Sequence, residues 1–317
     1  MTRASGSLKL DKEKRKVPHS SDRHKVVYEE ASFSLLSKMT CDPRSWHLKL
    51  DKEVIASLNK WEGIILRGIP YGESNKIVTL FTREGGKMTA MARGAKKPAS
   101  RLAAVTQPFT HGSFLIRTGR GMGTLEQGEP IDSMRHIRED LEATAYASYV
   151  VELIDKLTED NERISGIYSL LYEALHAINE QYDPEAIALF VEWKMLPIAG
   201  IHPILHQCAN CGATEGEFAF SFMQIGFICH RCFHVDKHAI RISPSQLKLI
   251  RTFYTVPINR VGNLTLKKTT KIFMKKLVRT IYDEQVGIRL KSRSFLDQLD
   301  STPELLPRKE KPKESDE

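Results

Sequence analysis

Between Trp61 and Pro130, short stretches of alternating apolar and polar residues are separated by turn-forming residues. Such alternation is typical of β-strands that bury one face. The pattern predicts five strands, at 61–67, 76–82, 87–93, 108–118 and 124–130. The segment 69–75 is interpreted as a turn-rich link, and Glu84-Gly85-Gly86 as a hairpin turn. Five short strands joined by tight turns favour a small closed barrel.

From Ser133 onward the spacing of apolar residues changes to that of helices. In the first of these helices we expect one apolar face at helical spacing, formed by Leu141, Ala145, Ser148, Val151 and Ile154. Pro184 is expected at the first turn of a later helix, and Ser243 is expected to cap another that begins with Pro244. The predicted helices span 140–157, 165–180, 184–196, 243–254 and 266–282.

The formal net charge of this 317-residue chain is +8, and it is unevenly distributed. Residues 58–120 contain eleven Lys and Arg against three Glu, whereas everything after them is mildly acidic. A basic barrel indicates a polyanionic partner, and the OB-fold is the commonest barrel of this kind. A solvated basic surface without a partner is the alternative interpretation. No apolar run is long enough to span a membrane.

The cysteines give the strongest chemical signal in the chain. Cys208 and Cys211 form one Cys-x-x-Cys pair, and Cys229 and Cys232 form a second after seventeen residues. This spacing is typical of a structural zinc ribbon in which four thiolates hold one Zn²⁺ ion. Four unrelated thiols or two disulfides are the alternatives. Only Cys41 is left over, which is a cytosolic pattern of cysteine usage.

Two histidines lie beside the second cysteine pair. His230 and His234 are candidate competing ligands, but with four cysteines available we expect them at the surface or behind the ligands. Four cysteine ligands fill every position of a tetrahedral zinc, whereas a catalytic zinc keeps one position open for water. We therefore predict a closed, structural site.

A basic loop between predicted strands is the candidate site for nucleic acid. Four cations lie within nine residues there, and the loop sits where an OB-fold presents charge to a single strand. The secondary candidates are two further cations of the barrel, Arg67 and Lys76, and one aromatic residue in a turn, Tyr71. Trp61 and Phe81 are equally well explained as core residues. The candidate DNA-binding residues are Arg67, Tyr71, Lys76, Arg93, Lys96, Lys97 and Arg101.

Motifs for catalysis are missing from the sequence. We find no phosphate-binding loop, no nucleophile elbow and no zinc-protease helix. The Gly119-Arg-Gly-Met-Gly123 string lies between two predicted strands, so we interpret it as a hairpin turn. The sequence therefore favours a protein that is not an enzyme.

Several stretches resemble one known family. The resemblance is carried by Glu62–Arg67, Tyr71–Leu80, Met91–Pro98, Ser100–Leu102, Gln107–Phe109, Glu139–Leu141, Gly226–Phe233 and Leu290–Gln298. These stretches are similar to the RecO family of bacterial recombination mediators, in its Bacillus-type, zinc-bearing branch. The likeness extends from Leu58 to Leu299.

The resemblance implies an α+β protein with an N-terminal five-stranded OB-fold followed by a helical domain that carries a four-cysteine zinc ribbon. It also implies a non-enzymatic protein of the bacterial cytoplasm and nucleoid. Such a protein binds single- and double-stranded DNA, anneals complementary strands and contacts the tail of single-strand-binding protein. With RecR it helps to load RecA.

The predicted domain organisation follows from these observations. We expect a barrel at 58–132, a helical domain at 133–300 with the ribbon at 205–235, and a disordered tail at 301–317. Residues 1–57 match nothing in the family, and they are either a flexible extension or the product of a misassigned start. Two other functions are weighed: a zinc-stabilised protein-interaction adaptor, and a zinc-ribbon DNA glycosylase, for which no nucleophile is found.

Overall fold

The computed structural model describes residues 57–119, 121–263 and 265–301. The first part of this region is a five-stranded barrel, closed in the order β1-β2-β3-β5-β4. All neighbouring strands are antiparallel except β3 and β5, which are parallel. The strands are β1 (Ser57–Tyr71), β2 (Asn75–Thr82), β3 (Gly86–Ala92), β4 (His111–Thr118) and β5 (Gly123–Asp132). The five-strand prediction is confirmed.

Strand β1 is longer than predicted. It continues through Ile69–Tyr71, which the sequence had indicated as part of a turn, so that only three residues connect it to β2. The reason is the pairing of Ile69 with Ile77 and of Tyr71 with Asn75, which extends the ladder to the tip of the hairpin. A proline at position 70 masked this extension in the sequence, because proline is unfavourable inside a strand.

The two faces of the barrel strands enter two different cores. Ile65, Val78, Leu80 and Phe114 fill the barrel interior. Residues with the opposite orientation pack instead into the core of the helical domain, among them Ile64, Leu66 and Phe81. The part of the outer barrel wall that carries these three residues is therefore buried against the helices.

The helical domain is built around one helix that is mostly apolar and almost entirely buried. The helices are α1 (Arg101–Val105), α2 (Arg135–Glu139), α3 (Leu141–Leu157), α4 (Ile167–Asn179), α5 (Pro184–Met195), α6 (Pro244–Thr255), α7 (Lys268–Ile281) and α8 (Lys291–Ser301). Helix α5 is buried along nearly its whole length, including Phe190 and Trp193. A mostly apolar helix is expected at the centre of a domain.

The predicted first-turn proline, Pro184, and the predicted Ser243 cap are both present. Asp183 accepts a hydrogen bond from the backbone of Ala186 ahead of a first-turn proline, and Ser243 forms a reciprocal capping box with Gln246. The predicted apolar face of α3 is wrong at its first position, because Leu141 is exposed. The sequence analysis also missed α1, α2 and α8, of which the first two are single turns with too few residues to show a period.

One cysteine pair precedes a small sheet of order β7-β6-β8, and the other lies where β7 ends. Its strands are β6 (Phe218–Ser221), β7 (Gly226–Cys229) and β8 (Ile240–Ile242). Phe218 and Phe220 are buried and belong to the same core as the helices. The ribbon is thus part of the helical domain.

The predicted extension at 1–57, apart from Ser57, lies outside the described residues, as do Cys41 and the predicted tail beyond Ser301. Within the described ranges, no helix combines the length and the hydropathy of a membrane span.

Candidate functional site

The basic loop, residues 93–101, is fixed by the β1–β2 hairpin. The side-chain oxygen of Asn75 accepts a hydrogen bond from the Gly94 amide at 2.9 Å. The Ser74 carbonyl accepts another from the Lys96 amide at 2.9 Å. The loop ends in the short helix α1, which Ser100 caps. These bonds hold the loop backbone against the hairpin.

The charged side chains of this loop form no ion pairs within the described residues. All four are exposed: Arg93, Lys96, Lys97 and Arg101. The Lys96 Nζ donates to the Gly72 carbonyl at 3.1 Å, which places this ammonium group beside the hairpin tip. Unpaired surface cations on a fixed backbone are available to bind phosphate.

Tyr71 and Lys76 lie on the same hairpin. The Tyr71 side chain is 54% exposed at the tip, next to the turn that Lys96 contacts. Lys76 is half-buried, and its Nζ donates to the Thr106 hydroxyl at 3.4 Å. The structure therefore brings both residues close to the basic loop.

Arg67 lies apart from this group. Its guanidinium forms an ion pair with Asp155 of α3 at 3.5 Å, so it faces the helical domain. It lies four positions before Tyr71 along β1, which is about 13 Å of extended strand. Its charge is partly neutralised already, and it does not join the basic loop.

Three apolar residues beside the loop were missed by the sequence analysis. Ile69 pairs with Ile77, and Ile77 pairs with Met91, so the three side chains share the outer face of the barrel. Ile69 is 50% exposed, and the other two are half-buried. We call these three residues the apolar strip. The apolar strip could have been predicted if the alternating pattern of β1 had been followed as far as Tyr71.

A buried lysine joins the barrel to the helical domain. Lys87 Nζ forms ion pairs with Asp155 at 3.3 Å and Asp160 at 3.5 Å. It also donates to the backbone carbonyls of Asp155 at 2.7 Å and Thr158 at 2.6 Å. Lys87 therefore has a structural function and is not available to DNA.

A second polar contact between the domains is centred on Glu62. Its carboxylate accepts hydrogen bonds from His111 at 2.9 Å, Tyr168 at 3.0 Å and Arg83 at 3.1 Å. Burial by itself would raise the pKa of Glu62, but these three donors outweigh it and lower the pKa below the usual range of a glutamate. The ring of Tyr172 lies 4.9 Å from that of His111.

The four predicted cysteine ligands meet at one point. Their sulfur atoms all lie within 4.8 Å of one another, and Cys211 Sγ is 3.6 Å from Cys229 Sγ. This separation is well beyond a disulfide bond of about 2 Å, and it is close to the sulfur spacing of roughly 3.8 Å around a tetrahedral ion with 2.3 Å bonds. The cluster could hold a metal ion.

Backbone amides favour thiolates in this cluster. Burial would raise the pKa of Cys208, but N–H groups including those of Cys211 and Cys229 outweigh it and lower the pKa to about 6. At Cys232, the Asn210 amide favours the thiolate, but burial and the neighbouring thiols raise the pKa to about 11. A divalent cation would favour four thiolates together.

The two histidines beside the cluster are not part of it. His230 and His234 are exposed, and the ligand atoms that converge in the described region are those of the four cysteines. Cys211 is the exposed member of the four, and the other three are buried.

Comparison with known proteins places both halves of this architecture in one family. Residues 57–134 match the model of the recombination protein O N terminal region, and residues 138–294 match that of its C terminal region. The DNA repair protein RecO of Bacillus subtilis is 50% identical over 249 residues, which cover 78% of this chain and 98% of that protein. The protein of the same name from Halalkalibacterium halodurans is 49% identical over 243 residues, covering 77% and 96%. The chain therefore belongs to the recombination protein O family.

Proposed function

We propose that this protein is a DNA repair and recombination mediator that binds single- and double-stranded DNA and anneals complementary strands. The observation that carries the proposal is the basic loop, with four exposed and unpaired cations on a backbone fixed by the β1–β2 hairpin. The relatives at about half sequence identity are named DNA repair proteins, which supports the same role.

The proposed chemistry is binding without catalysis. Arg93, Lys96, Lys97 and Arg101 would neutralise phosphates and so reduce the repulsion between two strands. Tyr71 supplies a ring on which a base can stack, and the apolar strip extends the surface beside it. Lys76 is a secondary contact because it is half-buried, and Arg67 is a weak candidate because Asp155 already partners it.

The proposed metal is one structural Zn²⁺ ion, held by Cys208, Cys211, Cys229 and Cys232. Four converging thiols suit Zn²⁺, and a ligand set with no open position excludes a role in activating water. The metal would hold the ribbon sheet against the helices.

The proposed partners follow from the family. In the bacterial cytoplasm, at the nucleoid, the protein would bind the tail of single-strand-binding protein and RecR, and so help RecA to load onto coated DNA. These contacts would bring the basic loop to DNA that is already covered by another protein.

Strand annealing tests the proposal. Two complementary oligonucleotides coated with single-strand-binding protein are mixed with the protein while salt is raised. We expect faster annealing that is lost at high salt, and at least a tenfold weaker DNA affinity in a variant with K96A, K97A and R101A. The matched control is K267A/K268A/K276A, which removes three exposed cations of the helical domain. Equal affinity and salt slope in the two variants would remove the basic loop from the site.

The apolar strip supports a second candidate function, a zinc-stabilised adaptor that docks a protein and has no direct role on DNA. An abasic oligonucleotide distinguishes the two, because it offers phosphates without bases. For the mediator, we expect Ile69→Ser/Ile77→Ser to weaken binding of normal single strands and to leave binding of the abasic strand unchanged. An adaptor would bind neither strand at moderate salt.

A further inference from the structure

The segment from His230 to Arg241, which we call the ribbon arch, carries charge that the fold does not use. It connects β7 to β8, the two strands on either side of β6. Arg231, Lys237 and Arg241 are exposed, and none of them forms an ion pair within the described residues. The one acidic residue in the arch is Asp236, which is buried.

The arch is held rigidly. Its two ends are anchored on one strand, since Cys229 pairs with Phe218 and Ile240 pairs with Phe220. In its middle, the Asp236 carboxylate accepts a hydrogen bond from the Ser221 hydroxyl at 2.6 Å and another from the His238 amide at 2.8 Å. The only carboxylate of the arch is thus turned inward to fix its shape.

Arg241 is also pre-positioned. Its guanidinium lies over the ring of Phe233, 5.5 Å from the ring centre. This stacking uses the flat face of the guanidinium and leaves its N–H groups at the edge free to donate. Fewer rotamers are lost on binding when a side chain is held in this way.

Some cations elsewhere in the helical domain are already paired. On α7, Lys271 pairs with Asp183, and Arg279 pairs with Asp297 of α8. Those charges join helices, whereas the three cations of the ribbon arch form no ion pair within the described residues. The arch itself is rigid, although the exposed Glu217 lies beside its start. Its excess of positive charge is the electrostatic character expected of a polyanion site.

We propose that the ribbon arch is a second nucleic-acid site, in which Arg231, Lys237 and Arg241 bind the phosphates of a strand other than the one on the basic loop. This inference rests on the proposed function, because a protein that anneals strands can bring them together by holding two of them at once. It gives the ribbon a function beyond stability: the cysteine cluster fixes the start of the arch, and Asp236 fixes its middle.

The test uses the full-length, metal-loaded protein with R231A, K237A and R241A, and K267A/K268A/K276A as the control with the same loss of charge. Metal content and thermal unfolding establish that both variants are folded. Binding of a first labelled strand is measured directly, and binding of a second, differently labelled strand is measured by energy transfer between the two. The probes are two non-complementary oligonucleotides, followed by a complementary pair.

We expect the ribbon variant to bind the first strand within about threefold of wild type and the second strand at least tenfold more weakly, with slower annealing. The salt slope of the second step should fall by about 0.7 for each phosphate contact removed. The basic-loop variant should show the larger loss at the first strand.

The outcomes separate the two proposals. If wild type anneals strands but the ribbon variant matches the control in second-strand binding, the arch is not a DNA site and the mediator function stands. If wild type binds no DNA, both proposals fail. If the ribbon variant keeps both strands but loses an acidic protein partner, the arch is a protein site and this inference is wrong.

Discussion

At the scale of single residues, the environment of a side chain decides which charges are available to a ligand. Lys87 and Lys97 lie ten residues apart in the same basic segment, and both count equally toward its charge. Lys87 is enclosed by two aspartates and two carbonyls, whereas Lys97 is exposed without an ion pair in the described region. A count of basic residues therefore overstates the charge that DNA can meet.

Glu62 gives a prediction at this scale. Its pKa is lowered in the folded protein, so its charged form contributes stability above the unfolded pKa, and that stability is lost as the pH falls through the folded pKa. We expect Glu62→Gln to cost about 1–3 kcal/mol of unfolding free energy near neutral pH. The difference from wild type should shrink in acid, below the usual range of a glutamate.

Chemical denaturation at a series of pH values measures this difference. Glu73→Gln is the control, because Glu73 is exposed in the hairpin turn. A Glu62→Gln deficit that is constant with pH would show that the carboxylate charge contributes nothing.

At the scale of elements, the β2–β3 hairpin is shaped by what it docks against. Gly86 has a φ of +73°, and a Cβ at this position would lie 2.0 Å from the carbonyl oxygen of Glu162. The Asn161 amide donates to the Lys87 carbonyl at 2.6 Å in the same contact. The glycine is therefore required twice, for its backbone conformation and for the close approach of the 160–163 segment.

Substitution of this glycine separates the two requirements. Gly72 also has a positive φ, +59°, but a Cβ there would meet no atom within 4 Å. We expect Gly72→Ala to cost about 1 kcal/mol from backbone strain alone, and Gly86→Ala to cost at least twice as much. Unfolding free energies of the two variants test this, and equal losses would show that the contact with Glu162 adjusts at no cost.

The ribbon is an element whose stability depends on its ligands. Cys208, Cys229 and Cys232 belong to the same core as helices α3 to α8, so losing the metal would expose apolar surface of the whole domain. Without a cation, four nearby thiols cannot all ionise, because neighbouring thiolates repel one another. The bonds from a shared metal ion, which would hold the four cysteines together, are then missing.

Metal removal is the corresponding prediction. We expect the purified protein to contain one zinc per chain, and a chelator to lower the midpoint of thermal unfolding by more than 5 °C, as for a loss of a few kcal/mol. Cys211→Ser should lose zinc in the same way, whereas His234→Ala should retain it. Zinc-free protein with an unchanged midpoint would contradict a structural function for the metal.

At the scale of the whole molecule, the outer wall of the barrel belongs to the core of the helical domain, while the barrel interior forms a second core. Ile64, Leu66 and Phe81 of the barrel pack with the helices, and Lys87 and Glu62 form the polar contacts between the two domains. These contacts fix the barrel, and with it the basic loop, to the helical domain.

Lys87→Met tests this connection. Removing the ammonium leaves Asp155 with Arg67 as its one remaining ion-pair partner among the described residues. It also leaves the carbonyls of Asp155 and Thr158 without the Lys87 donor. We therefore expect the free energy of unfolding to fall by about 3 kcal/mol. Lys60→Met, at an exposed position, should be neutral. Denaturant unfolding measures both, and a Lys87→Met variant as stable as wild type would show that the Lys87 contacts do not stabilise the junction of the domains.

Much of this architecture follows from patterns that are local in sequence. The five strands, the long helices and their caps were predictable because hydrophobic period and capping residues act over a few neighbouring positions. The cysteine pairs were predictable because ligand spacing is itself the signal. Short helices such as α1, with five residues, carry too little pattern to be recognised.

The sequence by itself determined the barrel, the helical domain and the cysteine cluster, because each depends on periodicity or spacing within one stretch of chain. Only the tertiary structure decided which cations are free. Lys87 and Arg67 are paired by aspartates that lie far away in sequence, whereas the basic loop and the ribbon arch are left unpaired. The physical reason is that an ion pair depends on distance in space, and a charge binds a partner only if the fold has not already supplied one.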